Sequence, residues 1–468
     1  MAIQFYLNGE LRQVASVAPT TTVLDYIRDH AGLTGTKEGC AEGDCGACSI
    51  VVADMFDGKP DYQAVNSCLL MLPQLDGKQV LTVEGVAGTE GRLDPVQAAL
   101  VKSDGTQCGF CTPGFVMSLF ALRHSEEDIT DELIHDALAG NLCRCTGYRP
   151  IVEAARDSCS VAGGRELLEA LAASDDYNSD GQDFFAPGSI EDLAGVCADH
   201  PGAHLLGGGT DLGILVSKER RPLKTVIHTA RVPELREITE DEKSLTLGAA
   251  VTYSRALPSI KRLYPSFAAM IKRIGSRQIR NVGTIGGNIG NASPIGDTPP
   301  CLIALDATLI LASKAGEREM SIEEFFLDYR KTDLQAGEFI KSIRIPKLSK
   351  DQDFRTYKIS KRYDQDISAV IGAYRLEFAN DKIADVRIAY GGMAATPKRA
   401  PACEAALTGQ TWSADIAAAA AAQVGGDYAP ISDHRASKEY RLKVAGNLFQ
   451  RLYRDLSRED KTLEVMAI

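Results

Sequence analysis

Eight of the chain's twelve cysteines fall between Cys40 and Cys145, in two groups of four. The first, Cys40, Cys45, Cys48 and Cys68, has the spacing C-x4-C-x2-C-x19-C. The second, Cys108, Cys111, Cys143 and Cys145, reads C-x2-C-x31-C-x1-C. Cysteines clustered in this way point to metal or redox chemistry. The opening x4-then-x2 spacing is that of plant-type [2Fe–2S] ferredoxins. Zinc prefers paired C-x2-4-C knuckles that close on a tetrahedron, and the spacing fits it poorly. A cluster with bridging sulfides needs thiolates from several directions and backbone N–H groups aimed at the sulfurs. Gly39, Gly43 and Gly46 let the main chain wrap that closely, because no Cβ intervenes. Cys159, Cys197, Cys301 and Cys403 stand singly and read as small buried hydrophobes.

Taken alone, the second quartet is open: a zinc clasp or a redox C-x2-C pair would use the same residues. Its place directly after a ferredoxin-type loop weighs toward a second cluster. Thr112-Pro113 predicts an N-cap followed by proline at the first helical position, and GFVMSLFALRH carries an apolar face at helical spacing. Thr130 precedes a second helix, DELIHDALAG, ending near Gly140. Cys143-Arg144-Cys145 follows, and Pro150 opens IVEAARD. Both cysteine pairs therefore stand at helix ends, where unsatisfied N–H groups favour an anionic cluster. A small helical bundle is expected around them.

The elements around the first quartet agree with its chemistry. IQFYLNGELRQV predicts a hairpin about Asn8-Gly9, TTVLDYIRDHAG a short helix closing near Gly32, and SIVVADM a strand. Together they predict a β-grasp, ferredoxin-like arrangement. The chain as a whole has 468 residues, too many for one ordinary core, so roughly two to four domains are expected. Its hydrophobic content of 44% and charged content of 24% are those of a soluble globular protein. The net charge of −12 argues against nucleic acid or an anionic membrane as partner, since both require a basic face. No transmembrane span and no secretory leader are legible, which predicts a cytoplasmic protein.

Beyond a polar, acidic stretch ending in DDYNSDGQD, two glycine-rich segments stand out. HLLGGGTDLGILVSKE runs from a short strand (Leu205, Leu206) through Gly207, Gly208 and Gly209 to Thr210, Asp211 and a helical run. Strand, glycine turn and helix start form an anion nest suited to a pyrophosphate, without the G-x-G-x-x-G or GK[ST] pattern. RNVGTIGGNIGNASPIGDTPP, residues 280–300, reads as a second loop, with Thr284, Asn288, Ser293 and Asp297 able to hydrogen-bond a ligand. One such turn is commonly only a turn; two this long argue for a bound molecule. Farther on, AVIGAYRLEF and KIADVRIAYGGM alternate like strands, while SADIAAAAAAQV and SKEYRLKVAGNLFQRLY read as helices.

GCAEGDCGACSIVV, NSC, QCGFCTPGF and NLCRCTGYRPI, in this order and spacing, resemble the molybdenum hydroxylase family. The likeness covers nearly all of the first 160 residues. It implies a plant-type [2Fe–2S] domain followed by a helical [2Fe–2S] domain whose cluster lies nearest the molybdenum cofactor. Gln107, before Cys108, is similar to a glutamine that contacts that cofactor on the partner domain. LLGGGTDLG resembles the family's FAD pyrophosphate loop, and TIGGNIGNASPIGD its second FAD loop, which adds Gly287 and puts Asp297 in a flavin-contacting position. The resemblance implies that Ile340 and Lys358 line the flavin site, with Asp364 and Asp366 on a nearby loop. It also marks a departure, Ile274, where vertebrate relatives carry a phenylalanine beside the flavin ring.

The expected architecture is therefore α+β and multidomain. It comprises a β-grasp [2Fe–2S] domain (1–85), a helical-bundle [2Fe–2S] domain (86–160), a linker (161–182), an α+β FAD-binding domain (183–350) and an α+β C-terminal flavoprotein subdomain (351–468). A flavin handles electron pairs and a cluster single electrons, so together they convert between the two. No substrate-oxidising site and no catalytic residue is legible in this chain. The resemblance implies the small subunit of a bacterial xanthine dehydrogenase. A large molybdopterin-binding partner chain, an (αβ)2 heterotetramer, NAD+ as acceptor and oxidation of hypoxanthine and xanthine to urate go with it. The alternatives are a related subunit acting on another N-heterocycle, a stand-alone iron–sulfur flavoprotein reductase, and a zinc-binding module whose glycine segments are only turns.

Overall fold

The computed structural model describes residues 2–56, 58–88, 91–125, 128–160, 163, 167–174 and 176–457. It divides into two compact units, Met1–Val232 with Gly275–Gly283, and Pro233–Ile274 with Thr284–Ile468.

The first unit opens with β1 (Ile3–Leu7) and β2 (Glu10–Val14), paired antiparallel. Asn8 and Gly9 both take positive φ, the requirement of a tight hairpin turn between right-twisted strands. β3 (Ser49–Phe56), β4 (Lys59–Asn66) and β5 (Gln79–Leu81) complete a sheet in the order β2-β1-β5-β3-β4. β5 lies parallel to β1 and antiparallel to β3. Thr22 caps the short helix that follows β2 by accepting from the Asp25 N–H. The β-grasp expectation holds, and β4 and β5 add to the strands read from the sequence.

Four helices follow: Pro95–Lys102, Thr112–Arg123, Asp131–Leu138 and Arg149–Ser158. Thr112–Arg123 is central, with every residue from Gly114 to Leu122 buried, as expected of a helix apolar on all sides. Cys111, not Thr112, sits at its N-cap; the Thr112 hydroxyl instead meets that of Thr106 at 2.7 Å. Thr130 caps the next helix as expected. The β-grasp sheet and these helices share one core, in which Val51 and Leu81 join Phe115, Leu119, Ile151 and Ala155.

Part of the expected linker is structured. Residues 161, 162, 164–166 and 175 lie outside the described residues, but β6 (Asp176–Ser179) and β7 (Gln182–Phe185) form a hairpin. Asp180 and Gly181 turn it at positive φ, while Tyr177 and Phe184 point into the core of Phe5, Leu72 and Leu206. Polar residues flank the two aromatic anchors in sequence, which hid them. β8 (His204–Leu206) and β9 (Thr225–His228) finish a sheet in the order β6-β7-β9-β8.

The second unit contains an antiparallel sheet of β10 (Ile238–Glu240), β11 (Ser244–Gly248), β12 (Thr308–Ser313), β13 (Gly316–Ser321) and, beyond the small pair β14 (Phe326–Asp328) and β15 (Lys331–Thr332), β16 (Phe339–Pro346). Its order is β10-β11-β16-β12-β13. A second sheet runs β17-β18-β19-β20 through Gln352–Ile359, Val370–Ala379, Lys382–Gly391 and Lys398–Arg399. The helix Lys438–Ser457 covers it with Ala445, Leu448, Phe449 and Leu452, spaced for one helical face. Residues 458–468, the end of the expected C-terminal subdomain, lie outside the described residues. Among the described residues no helix is long and apolar enough to cross a membrane.

Candidate functional site

The loop between the first helix and β3 carries Cys40, Cys45 and Cys48, Cys68 follows β4, and the quartet meets in two pairs. Cys48 and Cys68 stand with their sulfurs 3.3 Å apart, both buried. Cys40 Sγ accepts N–H groups from Glu42, Asp44 and Cys45 at 3.4, 3.3 and 3.4 Å. A hydrogen bond from the Cys45 thiol, aided by these amides, holds Cys40 down to about 5, and the same contact pushes Cys45 up. Cys48 is lowered and Cys68 raised in the same way, each by the other. A thiolate stabilised by main-chain N–H groups is the donor an iron–sulfur cluster needs.

The second quartet is also paired, Cys108 with Cys145 and Cys111 with Cys143. Burial and the Cys143 contact push Cys111 up to about 12. Cys143 Sγ meets the Thr146 hydroxyl at 3.1 Å and accepts its N–H at 3.4 Å, and these outweigh burial and lower its pKa. Cys108 and Cys145 are exposed, as are Gln107, Phe110, Leu142 and Tyr148 around them. Among the described residues no three His, Cys, Asp or Glu side chains are placed to hold a single metal ion. Sulfur donors arranged two by two fit a two-iron cluster, in which each iron takes two cysteine thiolates. The quartets touch through the main chain, where the Leu142 N–H donates to the Cys45 carbonyl at 3.0 Å.

Of the expected flavin residues, Leu205–Asp211 lie in the first unit. Gly208 is obligatory there, since a Cβ would sit 1.7 Å from the Val282 carbonyl. Gly209 takes φ +83, and its carbonyl accepts the Gly213 N–H at 2.7 Å, turning the chain from Leu206 into the helix Leu212–Ser217. Thr210 and Asp211 complete that turn, with Asp211 at the N-cap position.

The remaining residues lie in the second unit. The segment read as a loop is partly helical, with Ile285–Gly290 as one short helix and its end running into a second, Thr298–Ala304. The Thr284 hydroxyl caps the first by accepting the Gly287 N–H at 3.0 Å, which overrides the poor helix propensity of its glycines. Asn288 Oδ1 accepts the Thr298 hydroxyl at 2.6 Å, and Ser293 Oγ accepts the Ile295 N–H at 3.4 Å. Asp297 is the centre of a buried cluster. Its carboxylate accepts Lys358 Nζ at 2.6 Å and the Ser368 hydroxyl at 2.5 Å, with the two charged side chains only 8% and 2% exposed. Ile340 lies on β16 with Cδ1 3.7 Å from where a Cβ on Gly290 would be.

Asp364 and Asp366 are on the segment between β17 and β18, where Asp366 accepts the Arg362 N–H at 2.8 Å. Ile274 packs partly buried against the unit's core. Two participants escaped the sequence reading. Ser368 stands in the family-like stretch KISKRYDQDISAV but was not singled out in it. Arg273 holds the start of the 360–367 segment through the Lys358 carbonyl (2.8 Å) and Ser360 hydroxyl (3.0 Å), with its guanidinium 4.7 Å from the Tyr363 ring centroid.

Known proteins share this layout. Residues 5–72 match the family described as 2Fe-2S iron-sulfur cluster binding domain, and residues 82–156 the [2Fe-2S] binding domain. Residues 177–348 match the FAD binding domain in molybdopterin dehydrogenase, and residues 355–456 the CO dehydrogenase flavoprotein C-terminal domain. The chain belongs to the molybdenum hydroxylase family. It is an electron-transfer iron–sulfur flavoprotein of that family. Among its relatives, a xanthine dehydrogenase of Drosophila pseudoobscura pseudoobscura is 34% identical over 85% of this chain and 35% of its own length. An aldehyde oxidase 2 of Cavia porcellus is 33% identical over 87% of this chain and 36% of its own. The chain thus spans about a third of the length of these relatives. Solved structures of a carbon monoxide dehydrogenase from Hydrogenophaga pseudoflava and a quinoline 2-oxidoreductase from Pseudomonas putida 86 are each 28% identical, with TM-scores of 0.55 and 0.54. They cover 57% and 59% of this chain and 94% and 96% of the solved chains.

Proposed function

We propose that this chain is the electron-transfer subunit of a xanthine dehydrogenase, working beside a large molybdopterin-binding chain in an (αβ)2 heterotetramer. The partner oxidises hypoxanthine and xanthine to urate, and NAD+ takes up the electrons on this chain. The observation that carries the reading is the surface around the second quartet. Cys108 and Cys145 are exposed there among Phe110, Leu142 and Tyr148. Redox-active thiols ringed by large apolar side chains call for a covering partner. Gln107, exposed beside Cys108, is then in place to reach a cofactor on that partner.

When bound, two [2Fe–2S] clusters would supply single-electron transfer and FAD the two-electron exchange with NAD+. Cys40 with Cys45 and Cys48 with Cys68 would each serve one iron of the first cluster. Cys108 with Cys145 and Cys111 with Cys143 would do so for the second. In the first unit, Leu205–Asp211 would offer main-chain N–H groups to the FAD pyrophosphate; in the second, Thr284, Gly287, Asn288, Ser293, Asp297, Ile340 and Lys358 would be the residues that contact FAD. Lys358 and Ser368 hold the Asp297 carboxylate in one orientation. The likeness to a quinoline 2-oxidoreductase supports a second reading, in which the partner oxidises another N-heterocycle.

Purification of the complex tests this. About four irons, four sulfides and one FAD per chain are expected, with a large molybdenum-containing chain and xanthine-dependent NADH formation. Zinc without sulfide, or no partner and no flavin, would reject the proposal. NADH formation with a different heterocycle and none with xanthine would favour the second reading.

A further inference from the structure

The chain leaves the second unit at Ile274, contributes Gly275–Gly283 to the first, and returns at Thr284. This insert touches both cysteine-bearing domains. Asn281 Nδ2 donates to the Ala64 carbonyl on β4 at 2.8 Å. The buried Arg280 guanidinium meets Asp136 of the helix Asp131–Leu138 at 2.5 Å. Gln278, in the same insert, is 0% exposed. Its Nε2 donates to Asn141 Oδ1 at 2.9 Å and Ser118 Oγ at 3.0 Å, and reaches Ser49 Oγ at 3.5 Å.

The contacts of Gln278 converge on the seam between the quartets. Asn141 Nδ2 donates to the Gly46 carbonyl at 3.1 Å, and Gly46 lies between Cys45 and Cys48. Ser49 Oγ donates to the same carbonyl at 2.8 Å. The next residue, Leu142, donates its N–H to Cys45 and precedes Cys143. No side-chain bulk can set the spacing here. A Cβ on Gly46 would lie 2.2 Å from the Gly140 carbonyl, and one on Gly140 would lie 2.0 Å from Gln278 Oε1. At this seam hydrogen bonds therefore make the contact between the two loops, beside the apolar core their domains share.

Gln278 Oε1 itself is buried without a hydrogen-bond partner among the described residues. A buried acceptor left unpaired costs stability, so an apolar side chain of similar length would serve folding as well. What the amide adds is two directed donors at the seam. We infer that Gln278 is a positioning residue that fixes the separation of the two iron–sulfur cluster sites. This rests on the reading of both quartets as cluster sites.

The test uses the full-length protein with Gln278→Met, and Gln278→Ala as a second variant. Two readouts are compared with the unsubstituted chain. One is the magnetic interaction between the two reduced clusters, by low-temperature electron paramagnetic resonance. The other is hydrogen exchange of the Leu142 amide, by mass spectrometry of the peptide around it. Both variants are expected to keep their iron and sulfide. Their spin–spin splitting should narrow, as an inverse-cube interaction does when a supporting contact loosens by about 1 Å. Leu142 should exchange about tenfold faster. Full cluster content with splitting and exchange both unchanged would overturn the inference. Loss of the clusters in both variants would also overturn it, making Gln278 a folding determinant. An unsubstituted chain without two iron–sulfur signals would instead fail the cluster reading, and Leu142 exchange would still test the seam in that protein.

Discussion

Asp297 and Lys358 form an ion pair withdrawn from water, and such pairs respond far more to the loss of one member than to the replacement of both. Removing one leaves the other charged, buried and unanswered, at about 3–5 kcal/mol. Asp297→Ala should therefore lower both the melting temperature and the FAD content; full FAD occupancy in that variant would remove Asp297 from the flavin site. Ser368→Ala removes one hydrogen bond to the same carboxylate and should cost about 1 kcal/mol, with FAD retained. Asp433 gives a pH-dependent counterpart. Against the pull of burial, the Ala436 N–H, the Arg441 guanidinium and the Arg435 N–H hold it down to about 2. Its pKa is lower folded than unfolded, so its stabilisation is present above the unfolded value of about 3.9 and is lost as pH falls toward 2. The melting-temperature gap between the protein and Asp433→Asn should be constant above about pH 5 and shrink below pH 4; a gap that grew on acidification would have the wrong sign.

At the scale of elements, the helix Lys438–Ser457 supports more than its own core. Arg441 reaches from it, almost wholly buried, to the carbonyls of Ala369 and Gly392 and to Asp433. Ala369 follows Ser368, and the Gly392 N–H donates to the Pro294 carbonyl beside Ser293 at 2.7 Å. Arg441→Lys keeps the charge but not the fork of donors. It should weaken FAD binding in equilibrium titration; unchanged affinity would show that the helix leaves the site's geometry alone. These elements differ in how legible they were. The hairpin about Asn8-Gly9 was plain because its turn has one chemical solution. The cysteine loops were plain because thiols at fixed spacing have few uses. Ile285–Gly290 was not, because glycines argue against a helix and only the Thr284 cap and packing against Ala249 overcome them. The hairpin of Tyr177 and Phe184 was hidden among polar neighbours, and Ser368 and Gln278 act through partners far away in sequence.

Across the whole molecule, the two quartets differ most in exposure, with Cys48 and Cys68 buried and Cys108 and Cys145 at the surface. Phe110→Asp should abolish co-purification with the large chain while iron and FAD stay at full content; retained association would move the docking face elsewhere. Cys108→Ser should stop xanthine-driven NADH formation yet spare NADH-driven dye reduction through the flavin. The insert Gly275–Gly283 bears on how the protein can be divided. A chain cut after Val232 would contain every cluster cysteine but not the residues that answer Ser118, Asn141, Asp136 and the Ala64 carbonyl. Synthesis from the N-terminus would bring out both cysteine domains well before their last structural piece. The iron–sulfur half should therefore reach its final stability only after residue 283 has been made. For the same reason, a synthetic peptide spanning 275–283 should bind and stabilise the truncated half when added in trans.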